Sequence, residues 1–295
     1  MHKFMKYILL FAVLFLNIQC SQSSRQKQVE DYFISIFGTA YTKDFVEAIV
    51  CADTITIKEQ LRQSPNLINY QERNSGLTIL MAIVQAQSDL FITEPMSEHL
   101  FKSFQYLIYL GANVNVVNKT TKETALTIAC ASPNIDICYI DELIDNDASV
   151  NYEVVKYCHN VDSLKSLFSL PKTNNSTPLI EASKCGRLDV VMSLLESGAD
   201  INYTNEMGCS ALSESLIYNH LDVCLYLLKQ NADYTKPIIK CFSVTDFENN
   251  NRRNDSDIYI TNYLRYLDFP ENSQHYILKM QILEFVKTNG ANCQD

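Results

Sequence analysis

Five histidines, His2, His99, His159, His220 and His275, are the first residues to test for metal or general-base chemistry. Such chemistry needs two of them brought together by local spacing, as in His-Glu-x-x-His on one helix face. No two lie that close, so they read as surface or helix-cap side chains. Ser210, in Gly208-Cys209-Ser210-Ala211-Leu212, lacks the second glycine that a nucleophile elbow needs for its sharp turn. Asp145-Asn146-Asp147 starts like a calcium loop, but the required glycine is missing and Lys156 stands where a bidentate carboxylate belongs. The seven glycines are too scattered to cradle a phosphate. No catalytic residue, metal site or cofactor is expected.

Ten cysteines leave nine once Cys20 is set aside, an odd number, and no Cys-x-x-Cys occurs. That spacing argues against a zinc knuckle or a dithiol redox site. Cys130, Cys185 and Cys224 fall at small or apolar helical positions, where a free thiol packs as a small hydrophobe. Mostly free, buried thiols are expected; one or two bridges are the alternative.

The elements that would position any site follow from composition and pattern. With 47% hydrophobic residues in 295, the chain can bury a large core. Seven Gly and seven Pro are few for an all-β or dinucleotide-binding fold, so helices are expected. The net charge of −10 argues against a nucleic-acid partner, because phosphate binding needs clustered Lys and Arg.

The first 20 residues read as an address. Lys3 and Lys6 precede an apolar run from Tyr7 to Leu16, followed by Asn17-Ile18-Gln19-Cys20. A basic start and a short apolar stretch form the layout of a secretory signal, and the run is shorter than the roughly 20 residues that span a bilayer. The polar stretch after it suits a tether over 20–31. The placing of Cys20 resembles the lipid-attachment site of bacterial lipoproteins, with Asn17 and Gln19 where that family has Leu and a small residue. The resemblance implies cleavage of residues 1–19, acylation of Cys20 and a lipid hold on a membrane of the periplasm or outer envelope. The alternative is an ordinary signal or uncleaved anchor, with Cys20 incidental.

Self-similarity sets the rest. Ser176-Thr177-Pro178-Leu179-Ile180-Glu181-Ala182 opens a unit that runs through Leu188-Asp189-Val190-Val191 and Leu194-Leu195 to Gly198-Ala199-Asp200-Ile201-Asn202. A shift of 33 residues lands on Ser210-Ala211-Leu212, Leu221-Asp222-Val223-Cys224, Leu227-Leu228 and Asn231-Ala232-Asp233. Thr177 is placed to cap a first helix, Pro178 fits its first turn, and Gly198 supplies a left-handed end to the second. Looser copies open at Thr78 and Thr124, an abbreviated one is expected over Tyr152–Pro171, a capping pair over Phe45–Asn69, and a last unit closes on Gly290-Ala291-Asn292.

Thr-Pro-Leu-x-x-Ala at a 33-residue period resembles the ankyrin repeat, from about residue 45 to the end. The fold expected is all-α, an ankyrin-repeat solenoid of about six helix-pair units over 32–295, clearest at 175–234. Stretched spacing predicts insertions at 87–98 and 242–270, the second with an extra helix over Ile258–Leu267. The histidine that usually follows Thr-Pro-Leu is replaced by Met81, Thr127, Ile180 and Ser213.

The resemblance implies a protein-binding module whose partner touches hairpin tips and first helices. The tips are Tyr70, Glu72, Arg73, Val117, Asn118, Lys119, Tyr203, Asn205, Glu206 and Met207. The acidic balance points to a partner with a basic surface. Two other readings stand beside this one: a secreted effector or antidote-type binder, and a scaffold with a small hydrolytic or ligand site in its insertions.

Overall fold

The computed structural model describes residues 24–38, 40–89, 95–155, 175–238, 244–245, 252–253 and 258–289. The export segment, Cys20 and the closing Gly290-Ala291-Asn292 lie outside them. The chain divides into two compact units, 1–120 and 121–295, where the sequence suggested one continuous repeat domain.

In the first unit, residues 24–37 form helix α1. The tether expected over 20–31 therefore gives way to helix from residue 24 onward. The cause is the stripe Val29, Phe33 and Phe37, four residues apart and all buried, which the polar run before it hides from a periodicity reading. Two helix pairs follow, α2 (Lys43–Cys51) with α3 (Thr54–Gln63), then α4 (Ile79–Asp89) with α5 (Met96–Tyr109). Thr42 caps α2 by accepting from the Phe45 N–H, and Asp53 caps α3 by accepting from Ile55 and Thr56. A 3-10 turn, Pro65–Asn69, closes the first pair at the Leu67-Ile68-Asn69 expected from the sequence.

The expected insertion at 87–98 is taken up largely as helix length. α4 has 11 residues and α5 has 14, against 6 or 7 and 9 in the helix pairs between residues 125 and 229. Gln87 is buried and donates through Nε2 to Ser97 Oγ at 2.6 Å, tying the end of α4 to the start of α5. α5 packs on α2, and buried Ser103 donates to the Ile49 carbonyl at 2.6 Å.

The second unit holds α6 (Ala125–Cys130) with α7 (Ile137–Asp145), α8 (Pro178–Lys184) with α9 (Leu188–Glu196), α10 (Ala211–Ile217) with α11 (Leu221–Lys229), and α12 (Ile260–Tyr266) with α13 (Gln274–Thr288). Six pairs thus stand among the described residues. Each first helix from α6 to α10 opens on a hydroxyl in extended backbone: Thr124, Thr177 and Ser210 accept from the third N–H of their helix. At two of the histidine-replacing positions the bond is returned. Thr127 Oγ1 accepts from Thr124 N–H at 2.8 Å, and Ser213 Oγ from Ser210 N–H at 2.7 Å. These are reciprocal caps of about 1 kcal/mol per cap residue.

Left-handed backbone recurs in register. Gly186 and Asn219 end the first helices at φ 71° and 61°, and Gly198 and Asn231 end the second at 85° and 65°. Asn is the residue that best replaces Gly there. At Gly186 the reason is also space: an added Cβ would lie 2.3 Å from the His220 ring. His220, at the start of α11, places Nε2 3.0 Å from the Lys184 carbonyl and so joins neighbouring pairs.

The abbreviated unit expected over Tyr152–Pro171 lies largely outside the described residues; on either side of it, α6 packs on α8 and α7 on α9. Arg187 sends its guanidinium to the carbonyls of Ser132, Pro133 and Ile135 while pairing with Asp189 at 2.8 Å. Val154 and Ser176 exchange two backbone bonds of 2.8 and 3.0 Å and close the chain around 155–175. The second insertion leaves and returns where Ile238 N–H meets the Ile258 carbonyl at 2.7 Å. It contains a two-residue ribbon, Val244–Thr245 antiparallel to Arg252–Arg253, and the expected extra helix is α12.

Candidate protein-binding surface

Each hairpin is built on polar side chains that serve the hairpin itself. Glu72 is buried and accepts from the N–H groups of Asn74 and Ser75 at 2.8 and 2.6 Å, bonds that hold its carboxyl below the usual carboxylate range. Asn118 is wholly buried; it donates to the Ser75 carbonyl at 3.0 Å and accepts from Thr120 N–H at 2.7 Å. Asn205 does the same with the Asn175 carbonyl and Cys209 N–H, at 2.6 and 2.9 Å. These three were expected to meet a partner; the structure places each as a strut of its turn, because a short Asn or Glu at the start of a tight turn satisfies N–H groups that the turn leaves open.

A second ladder links successive hairpins. Asn69 Oδ1 accepts from Asn113 N–H at 2.8 Å in the first unit. In the second unit Asn151 accepts from Asp200 N–H and Asn202 from Asp233 N–H, both at 2.8 Å. The asparagine that closes each Ile-Asn or Val-Asn run was visible in the sequence; its partner one unit further on was not.

Of the remaining expected tip residues, Arg73, Val117, Lys119 and Glu206 are exposed, while Tyr70, Tyr203 and Met207 are half-buried. The Tyr70 ring lies edge-on to Tyr41 at 6.2 Å, and Tyr203 bonds Glu153. Burial and the Glu153 charge push the Tyr203 phenol upward, so it stays protonated at neutral pH.

The first helices of the second unit add side chains that the sequence reading missed. Glu181 on α8 and Glu214 on α10 occupy one repeat position, 33 residues apart. Burial holds the Glu214 carboxyl above its usual value; the Cys209 thiol and Lys184 pull it down, and Glu181 adds to the rise. Burial works against the Lys184 charge, but Glu181, Tyr218 and Glu214 outweigh it and raise the ammonium. Its Nζ lies 5.4 Å from the Tyr218 ring centre. Cys209 is pushed up to about 12 by burial and the Glu214 charge, so it is no nucleophile. Aligning the 33-residue copies column by column would have exposed the paired glutamates.

The six described free thiols differ in setting. Cys130 and Cys224 are buried and pushed up by burial, Cys185 and Cys209 are half-buried, and Cys51 and Cys138 are exposed. The expectation of burial therefore fails for Cys51 and Cys138, and Cys185 is the cap after α8 instead of a helix interior residue. Among the described residues no group of three or more His, Cys, Asp or Glu could hold a metal ion. No described helix is long and apolar enough to cross a membrane. Of the two insertions in which a ligand site was considered, residues 90–94, 242–243, 246–251 and 254–257 lie outside the described residues.

Helix pairs of about 33 residues, joined by hairpins that bond one to the next, define a helical repeat scaffold. Residues 96–203 and 149–238 match the family model Ankyrin repeats (3 copies), so ankyrin repeats are found there, and the fold is an all-α repeat fold. No curated protein matches the sequence. Ankyrin repeats mediate binding to other proteins, and proteins built of them are generally non-enzymatic binding scaffolds.

Proposed function

We propose that the protein is an exported binding module, held to a bacterial envelope membrane by a lipid on Cys20, whose second-unit repeats grip a partner with a basic surface. The observation that carries the basic-partner reading is half-buried Glu214 on α10, whose raised carboxyl Lys184 offsets only in part and the buried Glu181 one repeat earlier raises further. A half-buried carboxylate whose neighbours do not fully offset its burial gains most from an incoming cation. Glu153 and Glu206 at the hairpins continue the acidic surface, beside Tyr203 as an aromatic anchor. The overall charge of −10 steers a basic protein toward it. The Lys3-to-Cys20 layout supports export and anchoring.

The test is recovery of partners from envelope extract with the full chain as bait. Glu214→Gln and Glu206→Gln together should lose the partner, and binding to the parent chain should weaken as salt rises. Equal recovery with both chains overturns the basic-partner reading. Palmitate labelling reads the anchor separately: label in the membrane pellet that vanishes in Cys20→Ser supports it, and an unlabelled protein in the medium favours a secreted effector or antidote.

A further inference from the structure

First helices α4, α6, α8 and α10 open on the capping hydroxyls of Thr78, Thr124, Thr177 and Ser210. Four residues after these caps stand Ala82, Ile128, Glu181 and Glu214. Just before them stand Leu77, Glu123, Ser176 and Cys209. Only the last two copies therefore set a hydroxyl or thiol five residues ahead of a carboxylate.

Those two copies differ in what the spacing makes. Ser176 and Glu181 are 5% and 7% exposed, yet the Ser176 hydroxyl has no hydrogen-bond partner among the described residues. Cys209 and Glu214 are half-buried, and the thiol bonds the carboxylate. The residue across the hairpin separates the cases. Val154 meets Ser176 through backbone alone, at 2.8 and 3.0 Å. Asn205 donates its N–H to the Cys209 carbonyl at 3.0 Å, and its Oδ1 accepts the Cys209 N–H at 2.9 Å. Its side chain also bonds the thiol, and its Nδ2 donates to the Asn175 carbonyl at 2.6 Å. The Cys209 sulfur is thus held on one side by Asn205 and faces Glu214 on the other.

The chemistry suits recognition. At about 12, the thiol stays protonated at neutral pH and keeps donating. One weak donor orients a carboxylate that has about four acceptor sites, and leaves the others for a cation. Half-burial keeps Glu214 within reach of a partner, as the buried Glu181 is not.

We propose that Cys209 is a positioning residue of the binding surface: held by Asn205, its thiol aims the Glu214 carboxylate at an incoming cation. This role rests on the reading of that surface as one for a basic partner, and extends it from the carboxylate to the hairpin that holds it.

Two measurements on the full chain test this. The Glu214 carboxyl, followed by carbon NMR and assigned by its loss in Glu214→Gln, should titrate higher in Cys209→Ala. The expected shift is about one pH unit, the size of one hydrogen bond to a charged group. Cys209→Ser keeps a donor and should restore the parent value, whereas a purely structural role would not separate serine from alanine. The second measurement is fluorescence anisotropy with an arginine-rich peptide as probe. Cys209→Ala should weaken binding about fivefold, within the range for coupled neighbours, and add nothing once Glu214→Gln is present. A Glu214 titration unmoved in Cys209→Ala overturns the proposal, as does equal weakening with and without Glu214. If Glu214→Gln leaves peptide binding unchanged, the basic-partner reading falls, and the titration alone decides whether the thiol holds the carboxylate.

Discussion

The two repeats between Thr177 and Asp233 and the terminal pair α12–α13 show what stacking on both sides contributes. In α8 to α11 the interior rows Val190, Val191, Leu194, Val223, Leu227 and Leu228 are closed off from solvent, and both first helices open on a hydroxyl cap. In α12 and α13 only Ile260, Leu264, Ile282 and Val286 are buried, and α12 begins at Tyr259 with no side-chain cap. Part of the difference is composition, since six of nine residues in α9 and seven of nine in α11 are apolar against eight of 15 in α13. The rest is neighbours: α8, α9 and α11 each pack between described helices of the helix pairs before and after, and so bury both flanks.

The largest effect that sharpens this contrast is cavity formation. Leu227→Ala removes a fully buried side chain from between two packed layers and should cost about 3–5 kcal/mol. Ile282→Ala, equally buried but in the end pair, should fall nearer 2 kcal/mol because its surroundings are free to collapse. Urea unfolding midpoints at constant slope measure both. Equal losses would show that the end pair is packed as tightly as the interior.

Next is the tie between α6–α7 and α8–α9. Arg187 carries hydrogen bonds to three carbonyls and an ion pair, with its side chain only 14% exposed. Arg187→Ala should cost about 2 kcal/mol, the range for hydrogen bonds to a charged group. Arg187→Lys should not restore it, since a point ammonium cannot reach several carbonyls and Asp189 at once. Full rescue by lysine would mean that charge alone, and not the fork geometry, joins the two pairs.

Smaller again are the caps, where the comparison predicts opposite signs. Thr177→Ala and Ser210→Ala should each lose about 1 kcal/mol, and Tyr259→Asp should gain about that much. Tyr259 already has the extended backbone that a capping residue adopts, φ −93° and ψ 162°, and lacks only the acceptor. Thermal melts of the three variants check the signs; a loss at Tyr259→Asp would show that its exposed ring, and not the missing cap, sets the start of α12.

How much of this was legible beforehand follows the same division. Thr177, Pro178, Gly198 and the 33-residue offset are local signals, since a cap, a first-turn proline and a left-handed end act within one turn of chain. They fixed the repeats and, by resemblance, the expectation of protein binding. What stayed hidden was non-local: that Asn151 accepts from the N–H of Asp200 depends on two hairpins far apart in the chain meeting in space. Burial at the hairpin tips was hidden for the same reason. Glu72, Asn118 and Asn205 look like exposed polar residues in sequence and are buried acceptors in space, while Glu181 and Glu214 look like surface charges on a helix and are half-buried or more.

That pair gives the smallest effect and the one that best separates stability from binding. Glu214 has its folded-state value raised by burial above the ordinary 4.5, with Glu181 adding to the rise and Cys209 and Lys184 opposing it. A raised carboxyl favours the folded state only while protonated, so its contribution is complete below 4.5 and is lost as pH climbs through the folded value. Glu214→Gln removes the charge without changing the shape. The variant should therefore melt slightly higher than the parent at neutral pH and at the same temperature below 4.5. A carboxylate kept at a cost to the free protein is what a binding surface for cations would retain. The same variant, more stable alone, should hold a basic partner less well; if it binds equally, the strain at Glu214 belongs to packing between α8 and α10 and not to recognition.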